Sequence, residues 1–309
     1  MTLRLGTRGS TLAMAQSTTI AEAVRARTGR DVDLVEIVTP GDRSSAPIPQ
    51  LGVGVFVSAL RDALLAKEID FAVHSYKDLP TAGAEGLVIA AIPTRADPRD
   101  ALVARGGLTL NELPDDAKIG TGALRRIAQI NALGRRLTAV PLRGNIDTRL
   151  RKLAEGEFDA IVLANAGLVR IDRGGEATEV LDPLLMLPAP AQGALAVECR
   201  EDDAELREIL AALDDEYTRA AVTAERALLA ELEAGCSAPI AALAEVAEGD
   251  EGPEIYLRGA VFSPDGGFAL RLSRTGTLAD AAEVGRALAR DLREEGADNA
   301  LGVQHDPHP

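Results

Sequence analysis

Apolar positions along the chain follow two periods that take turns. Strand-like runs occur at LRLGT (3–7), DVDLVEIVT (31–39), IDFAVHSYKDLPT (69–81), GLVIAAIP (86–93) and RDALVAR (99–105). Between them lie stretches of helical period, TLAMAQSTTIAEAVRAR (11–27) and VFVSALRDALLAKE (55–68). Period two alternating with period 3.6 predicts an α/β unit. Ser10, after the Arg8-Gly9 turn, is placed to cap the first helix. PGDRSSAPIPQLGVG (40–54) is rich in Pro, Gly and Ser and reads as a loop.

The pattern then starts again. KIGTG leads into ALRRIAQINAL, LTAVPLRGN into IDTRLRKLAEG, and FDAIVLANAGLVRI (158–171) is a strand running into a helix or turn. ALAVEC, after Pro188 and Pro190, reads as a buried strand, and residues 201–213 and 214–235 read as helices. A chain that leaves one α/β unit, builds a second and returns makes two crossings. TRADP (94–98) and residues 187–194 are the expected places. The last third has strands at EIYLRGAVF and GFALRLSRTG and a helix at LADAAEVGRALARDLREEG, an α+β module. The polar tail from Asp298 is expected to fray. The expected domains are 1–94 with 193–213, then 99–188, then 216–300, with 301–309 as tail.

Charge changes this picture at one place. The chain has 48 acidic and 33 basic residues, net −15, yet residues 118–152 contain nine cations and only Asp147 as an acid. Arg125, Arg126, Arg143 and Arg149 fall where strands end and helices begin, which is where open α/β sheets bind ligands. Cations at a helix N-terminus oppose its dipole, so an anionic partner is expected there, and guanidinium forks suit carboxylate or phosphate. Arg125 and Arg126 are adjacent in one helical turn, about 100° apart, and so are not interchangeable. Arg135, Arg136 and Lys152 read instead as surface charges paired with nearby acids. The overall acidity argues against a nucleic-acid partner.

Lysine occurs only at positions 67, 77, 118 and 152. Two readings of this acid-rich, lysine-poor composition stand: a saline cytosol, or a GC-rich genome. Under the first, the melting temperature rises between low and molar KCl as self-repulsion is screened. A flat or falling value supports the second. The 46% hydrophobic content supports real cores. No apolar run reaches the roughly 18 residues of a membrane span, and no signal-peptide pattern opens the chain. Two cysteines, Cys199 and Cys236, make no disulfide scaffold. A cytoplasmic protein, without membrane association, is expected.

Three further residues suggest chemistry. Lys77 and Asp78, in HSYKDLP, are delivered to a sheet edge by an apolar strand. A carboxylate there can act as a turn former, or it can stabilise a cation or pass a proton. Cys236 follows a helix in a Gly-Cys-Ser-Ala-Pro turn, a suitable covalent attachment point. Neither a phosphate loop, a dinucleotide fingerprint nor a metal-ligand spacing is present.

Taken together, LRLGTRGSTLAMAQ, DFAVHSYKDLPT, IGTGALRRIAQI, LRGNIDTRLRKL, AIVLANAGLVRI, LPAPAQGALAVECR and AERALLAELEAGCSAPI resemble the porphobilinogen deaminase (hydroxymethylbilane synthase) family. They span residue 3 to about residue 242 in the family's order. The resemblance implies two α/β domains like those of periplasmic binding proteins, with an interdomain cleft, plus a small C-terminal α+β domain. It implies a transferase that joins four porphobilinogen molecules head to tail with release of ammonia, giving hydroxymethylbilane for tetrapyrrole synthesis. It implies a dipyrromethane cofactor held by a thioether to Cys236. Asp78 would be catalytic. Ser10, Lys77, Arg125 and Arg126 would bind the cofactor, and Arg8, Arg143, Arg149, Arg170 and Gln192 the substrate. No metal is implied, and a monomer is expected. The chain departs from the family pattern in having Val53 and Ser58 where lysines are frequent, Thr11 where Pro is common, and Gly122-Ala123 in place of Ser-Ser. The rival reading is a two-domain binder of carboxylate ligands without turnover. Ehrlich's reagent separates the two, because only a bound dipyrromethane gives colour.

Overall fold

The computed structural model describes residues 2–38, 55–232, 239–249 and 252–301. Val53, Cys236 and the tail beyond residue 301 lie outside the described residues. The chain forms two compact units. One comprises Met1–Ala96 with Gly193–Arg219, the other Asp97–Gln192 with Ala220–Pro309.

The first unit is built on a five-stranded sheet. Its strands are β1 (Leu3–Thr7), β2 (Val32–Glu36), β3 (Phe71–Ser75), β4 (Leu87–Ala91) and β10 (Leu195–Arg200). They lie in the order β2-β1-β3-β10-β4. β1 runs parallel to β2 and β3, while β10 runs antiparallel to β3 and β4. Helices α1 (Thr11–Thr28) and α2 (Val55–Leu65) follow β1 and β2 in the expected places, and α6 (Ala204–Ala211) follows β10. All six β10 residues are buried, so this returning strand is internal to the sheet. Cys199 sits there with its thiol raised to about 11 by burial, an inert core position.

The second unit repeats the topology. Strands β5 (Asp100–Ala104), β6 (Lys118–Thr121), β7 (Thr138–Pro141), β8 (Ala160–Ala164) and β9 (Glu179–Val180) lie in the order β7-β6-β8-β5-β9. β6 is parallel to β7 and β8, and β5 is antiparallel to β8 and β9. Helices α3 (Leu124–Asn131), α4 (Ile146–Ala154) and α5 (Asn165–Arg170) follow β6, β7 and β8. In both sheets the antiparallel strand is the one the chain enters from the other unit. The carboxyl ends of the parallel strands therefore share an edge with the N-terminal end of that strand.

The same unit contains the C-terminal module, a three-stranded antiparallel sheet of β11 (Ile240–Gly249), β12 (Gly252–Phe262) and β13 (Ala269–Thr277). Helices α7 (Glu216–Glu231) and α8 (Ala281–Glu294) cover one face through Leu228, Leu288 and Leu292 against Ile255 and Leu257. A Cβ at Gly285 would lie 2.2 Å from the Ala224 carbonyl oxygen, so glycine permits the helices' close approach. The other side of the sheet packs Ala241, Leu243, Ala260 and Phe262 on Ala128 and Leu187.

Several local expectations are corrected. The β3 run ends at Ser75, and Tyr76–Asp78 forms a 3-10 turn. Residues 240–249, outside every expected element, form β11 through pairing along β12. The tail's first residues do not fray: Ala297–Leu301 forms a short helix, α9, with Ala297 buried in the module's core. The two-residue β9 carries no legible period.

Candidate active site

In the first unit, the candidates stand at the carboxyl edge of β1 and β3. Ser10 caps α1, its hydroxyl accepting from the Ala13 N–H at 3.4 Å. Arg8 is half-buried in the preceding turn. The Tyr76–Asp78 turn is pinned at both ends: the Tyr76 N–H donates to the Ala194 carbonyl at 3.1 Å, and Leu79 is buried against Val57 and Ala196. Lys77 is half-buried and Asp78 exposed. The turn thus presents a carboxylate from an apolar anchor one residue away. The Gln16 side-chain amide donates to the Ser75 hydroxyl at 2.9 Å and ties α1 to the end of β3.

Beneath this edge lies a buried ion cluster. Arg61 on α2 grips Glu198 of β10 at 2.8 and 3.1 Å, and His74 Nε2 lies 3.0 Å from the same carboxylate. Burial alone would raise the Glu198 carboxyl. The His74 and Arg61 hydrogen bonds outweigh it and hold the group below its usual value. His74 thus has a structural partner, and among the described residues no group of three or more His, Cys, Asp or Glu gathers to hold a metal.

In the second unit, Arg125, Arg126, Arg143, Arg149 and Arg170 all follow the carboxyl ends of β6, β7 and β8. Arg125 and Arg126 are each 5% exposed and both reach Asp100, which is 0% exposed at the start of β5. Arg125 donates to the two Asp100 oxygens at 2.7 and 3.1 Å, to the Leu187 carbonyl at 3.1 Å and to the Gln192 side-chain oxygen at 3.0 Å. Arg126 donates to Asp100 at 2.7 Å and to the Val162 carbonyl at 3.0 Å. The expected divergence of adjacent helical residues is overcome by side-chain length: both guanidiniums meet on one carboxylate but differ in their other acceptors. Gln192 completes the cluster, donating to Asp100 Oδ1 and the Pro98 carbonyl, each at 2.8 Å.

Burial alone would push the Asp100 carboxyl up. Arg125 and Arg126 outweigh that and hold it well below the usual carboxylate range. Burial lowers Arg125, offset in part by Asp100, and lowers Arg170 to about 10, so Arg170 stays charged at neutral pH. Among the described residues Arg126 Nε is a buried donor without a hydrogen-bond partner. Asp100 is the residue that sequence reasoning missed. Its signal was an acid opening an otherwise apolar five-residue strand.

Arg143 is exposed beyond β7, and Arg149 is half-buried, its Nε donating to the Gly144 carbonyl at 2.7 Å. Asn145 caps α4 through the Thr148 N–H at 2.9 Å. The Gly122-Ala123 departure has a structural counterpart. A Cβ at Gly122 would lie 2.8 Å from the Leu142 carbonyl oxygen, so a serine would displace the backbone leading to Arg143. Of the expected surface charges, Arg136 pairs with Asp116 at 2.8 Å and Lys152 with Glu157 at 3.6 Å. Arg135 does otherwise, donating to the Leu110 and Leu113 carbonyls.

Residues 3–208 match the family model described as porphobilinogen deaminase, dipyromethane cofactor binding domain, and residues 219–294 match porphobilinogen deaminase, C-terminal domain. The chain belongs to the porphobilinogen deaminase family. The porphobilinogen deaminase of Nocardia farcinica is 61% identical over 304 residues, 97% of this chain and 88% of its own. That of Mycobacterium avium is 55% identical over 311 residues, 99% and 98% of the two chains. A periplasmic substrate-binding protein of an ABC transporter from Coxiella burnetii overlaps 68% of this chain and 91% of its own, at TM-score 0.43 and 14% identity.

Porphobilinogen deaminases are transferases, hydroxymethylbilane synthases, that polymerise porphobilinogen for tetrapyrrole synthesis with a dipyrromethane cofactor. The donor set described above fits that group. A dipyrromethane carries carboxylates on each ring, and the second unit's edge supplies guanidiniums, including the unpartnered Arg126 Nε. Among the described residues no helix is long and apolar enough to cross a membrane.

Proposed function

We propose that Asp78 is the catalytic carboxylate of this family member and that Cys236 carries its cofactor as a thioether. When bound, the dipyrromethane supplies the free pyrrole carbon from which the product chain grows. Ser10, Lys77, Arg125 and Arg126 hold its carboxylates and ring groups. Arg8, Arg143, Arg149, Arg170 and Gln192 handle porphobilinogen, each guanidinium gripping acetate or propionate through charge-assisted bonds. As the substrate's aminomethyl C–N bond breaks and ammonia leaves, positive charge spreads over the substrate ring. The Asp78 carboxylate accepts from the pyrrole N–H and stabilises that charge. The observation supporting this reading is placement: every candidate among the described residues except Gln192 follows the carboxyl end of a parallel strand, and Gln192 joins the cluster at the start of β5.

The protein acts as a cytoplasmic monomer of three domains, 1–94 with 193–213, 99–188 and 216–300, without nucleic-acid or membrane partners. Its net charge of −15 suits this.

Cys236→Ser tests the reading. A hydroxyl is a far weaker nucleophile than a thiolate. The variant should fold, give no colour with Ehrlich's reagent, and weigh less by the cofactor plus the sulfur-to-oxygen change. A variant that keeps the extra mass places the attachment elsewhere.

A further inference from the structure

We propose that Gln129 is a positioning residue for the reaction, holding the Leu187 peptide and through it the Arg125 guanidinium. The inference rests on the reading of Arg125 as a cofactor-carboxylate ligand. Gln129 and Arg125 are four residues apart on α3 and so share a helix face. Gln129 is 1% exposed and Leu187 2%. The Leu187 N–H donates to Gln129 Oε1 at 2.8 Å, and Gln129 Nε2 donates back to the Leu187 carbonyl at 3.0 Å. One side-chain amide therefore satisfies both polar groups of one residue. The same Leu187 carbonyl accepts from Arg125 at 3.1 Å.

The segment beyond Leu187 is fastened at Pro188, Ala191 and Gln192 by the C-terminal module or by Asp100. The Ala242 N–H of β11 donates to the Pro188 carbonyl at 3.0 Å. The Ala191 N–H donates to Glu225 of α7 at 2.5 Å, although Ala191 has a left-handed φ of 59°. Such a conformation in alanine persists only when its surroundings impose it. Gln192 then returns to Asp100 and Arg125. From the module's side, Arg271 of β13 lies over the Phe262 ring and donates to Gln129 Oε1 at 3.3 Å and the Leu184 carbonyl at 3.1 Å. Gln129 is the member of this strap that touches the module, the segment and, at one remove, the arginine. Without it, the Leu187 carbonyl loses a fixed direction and Arg125 loses one of its acceptors.

The test measures how fast apoprotein acquires the cofactor mass when given porphobilinogen, together with thermal melting. Four variants are compared: Gln129→Met, Gln129→Glu, Arg125→Gln and Leu292→Val. Gln129→Met keeps length and removes both hydrogen bonds to Leu187 and the acceptor for Arg271, so acquisition should slow about tenfold, the weight of roughly one net hydrogen bond in binding. Gln129→Glu keeps the acceptor for the Leu187 N–H and Arg271 but loses the donor, and should be intermediate. Arg125→Gln should be slowest. Leu292→Val loosens the C-terminal core only, and should lower melting while acquisition keeps the parent rate. If Arg125→Gln is slow but both Gln129 variants match the parent, the positioning role is overturned and the arginine reading stands. If Arg125→Gln also matches the parent, both fall. If Leu292→Val slows acquisition as much as Gln129→Met does, the effect is loss of stability and the positioning role is overturned. Should Gln129→Met fail to fold, Gln129→Glu decides alone: slowed acquisition supports the role, and the parent rate overturns it.

Discussion

Asp78→Asn is expected to bind porphobilinogen and carry the cofactor, yet lose turnover by several orders of magnitude. Asparagine keeps the side chain's shape and a hydrogen-bond acceptor, so the Tyr76–Asp78 turn should persist on its Leu79 anchor. What disappears is the negative charge. A charge that matters only as ammonia departs lowers kcat and kcat/KM together. Removing one preorganised electrostatic partner costs roughly 10²–10³ in other enzymes. Here the charge opposes a full developing cation, so the loss should reach or exceed that range. Steady-state kinetics beside intact mass would check this. Retained kcat with a raised KM would make Asp78 a binding residue and leave the cation to another group.

The second large effect is at Asp100. Asp100→Asn should destabilise the protein by about 3–5 kcal/mol, because removing one partner leaves buried charge uncompensated. Asp100 is fully buried beneath two guanidiniums, with Gln192 on the same oxygen. The variant should also acquire cofactor poorly, since Arg125 and Arg126 lose their shared anchor. Denaturant unfolding and intact mass measure the two consequences. Unchanged stability with full cofactor would show that the arginines are oriented by their carbonyl acceptors alone. The sign with pH follows from the lowered carboxyl. The folded value lies below the unfolded value near 4, so the stabilisation is complete above about pH 4 and is lost as pH falls through the folded value.

These two acids differ in how visible they were in the sequence. Asp78 stands beside Lys77 at the end of an apolar run, and a strand followed at once by polar residues announces a sheet edge. The arginines of residues 118–152 were visible for the same reason, and because like charges clustered in an acidic chain need an anion. Asp100 announced far less. Its partners are 25 and 26 residues on in sequence, brought to it by β5 running antiparallel beside β8. Gln129 looked like an ordinary polar residue on an amphipathic helix until Leu187, 58 residues away, was found on both its polar atoms.

The sequence by itself determined the alternation of strands and helices, the capped start of α1 and the edge positions of the candidates. All of these depend on periodicity or on neighbours within a few residues, where local stereochemistry decides the outcome. Only the tertiary structure decided which guanidiniums are anchored on an internal carboxylate. Arg125 and Arg126 are buried on Asp100, whereas Arg143 is exposed, although all three occupy similar strand-to-helix turns. It also made an alanine-rich stretch into β11, through pairing along β12. Burial and partner choice depend on groups far apart in the chain, and no period or propensity encodes which distant side chain the folded sheet will place beneath an arginine.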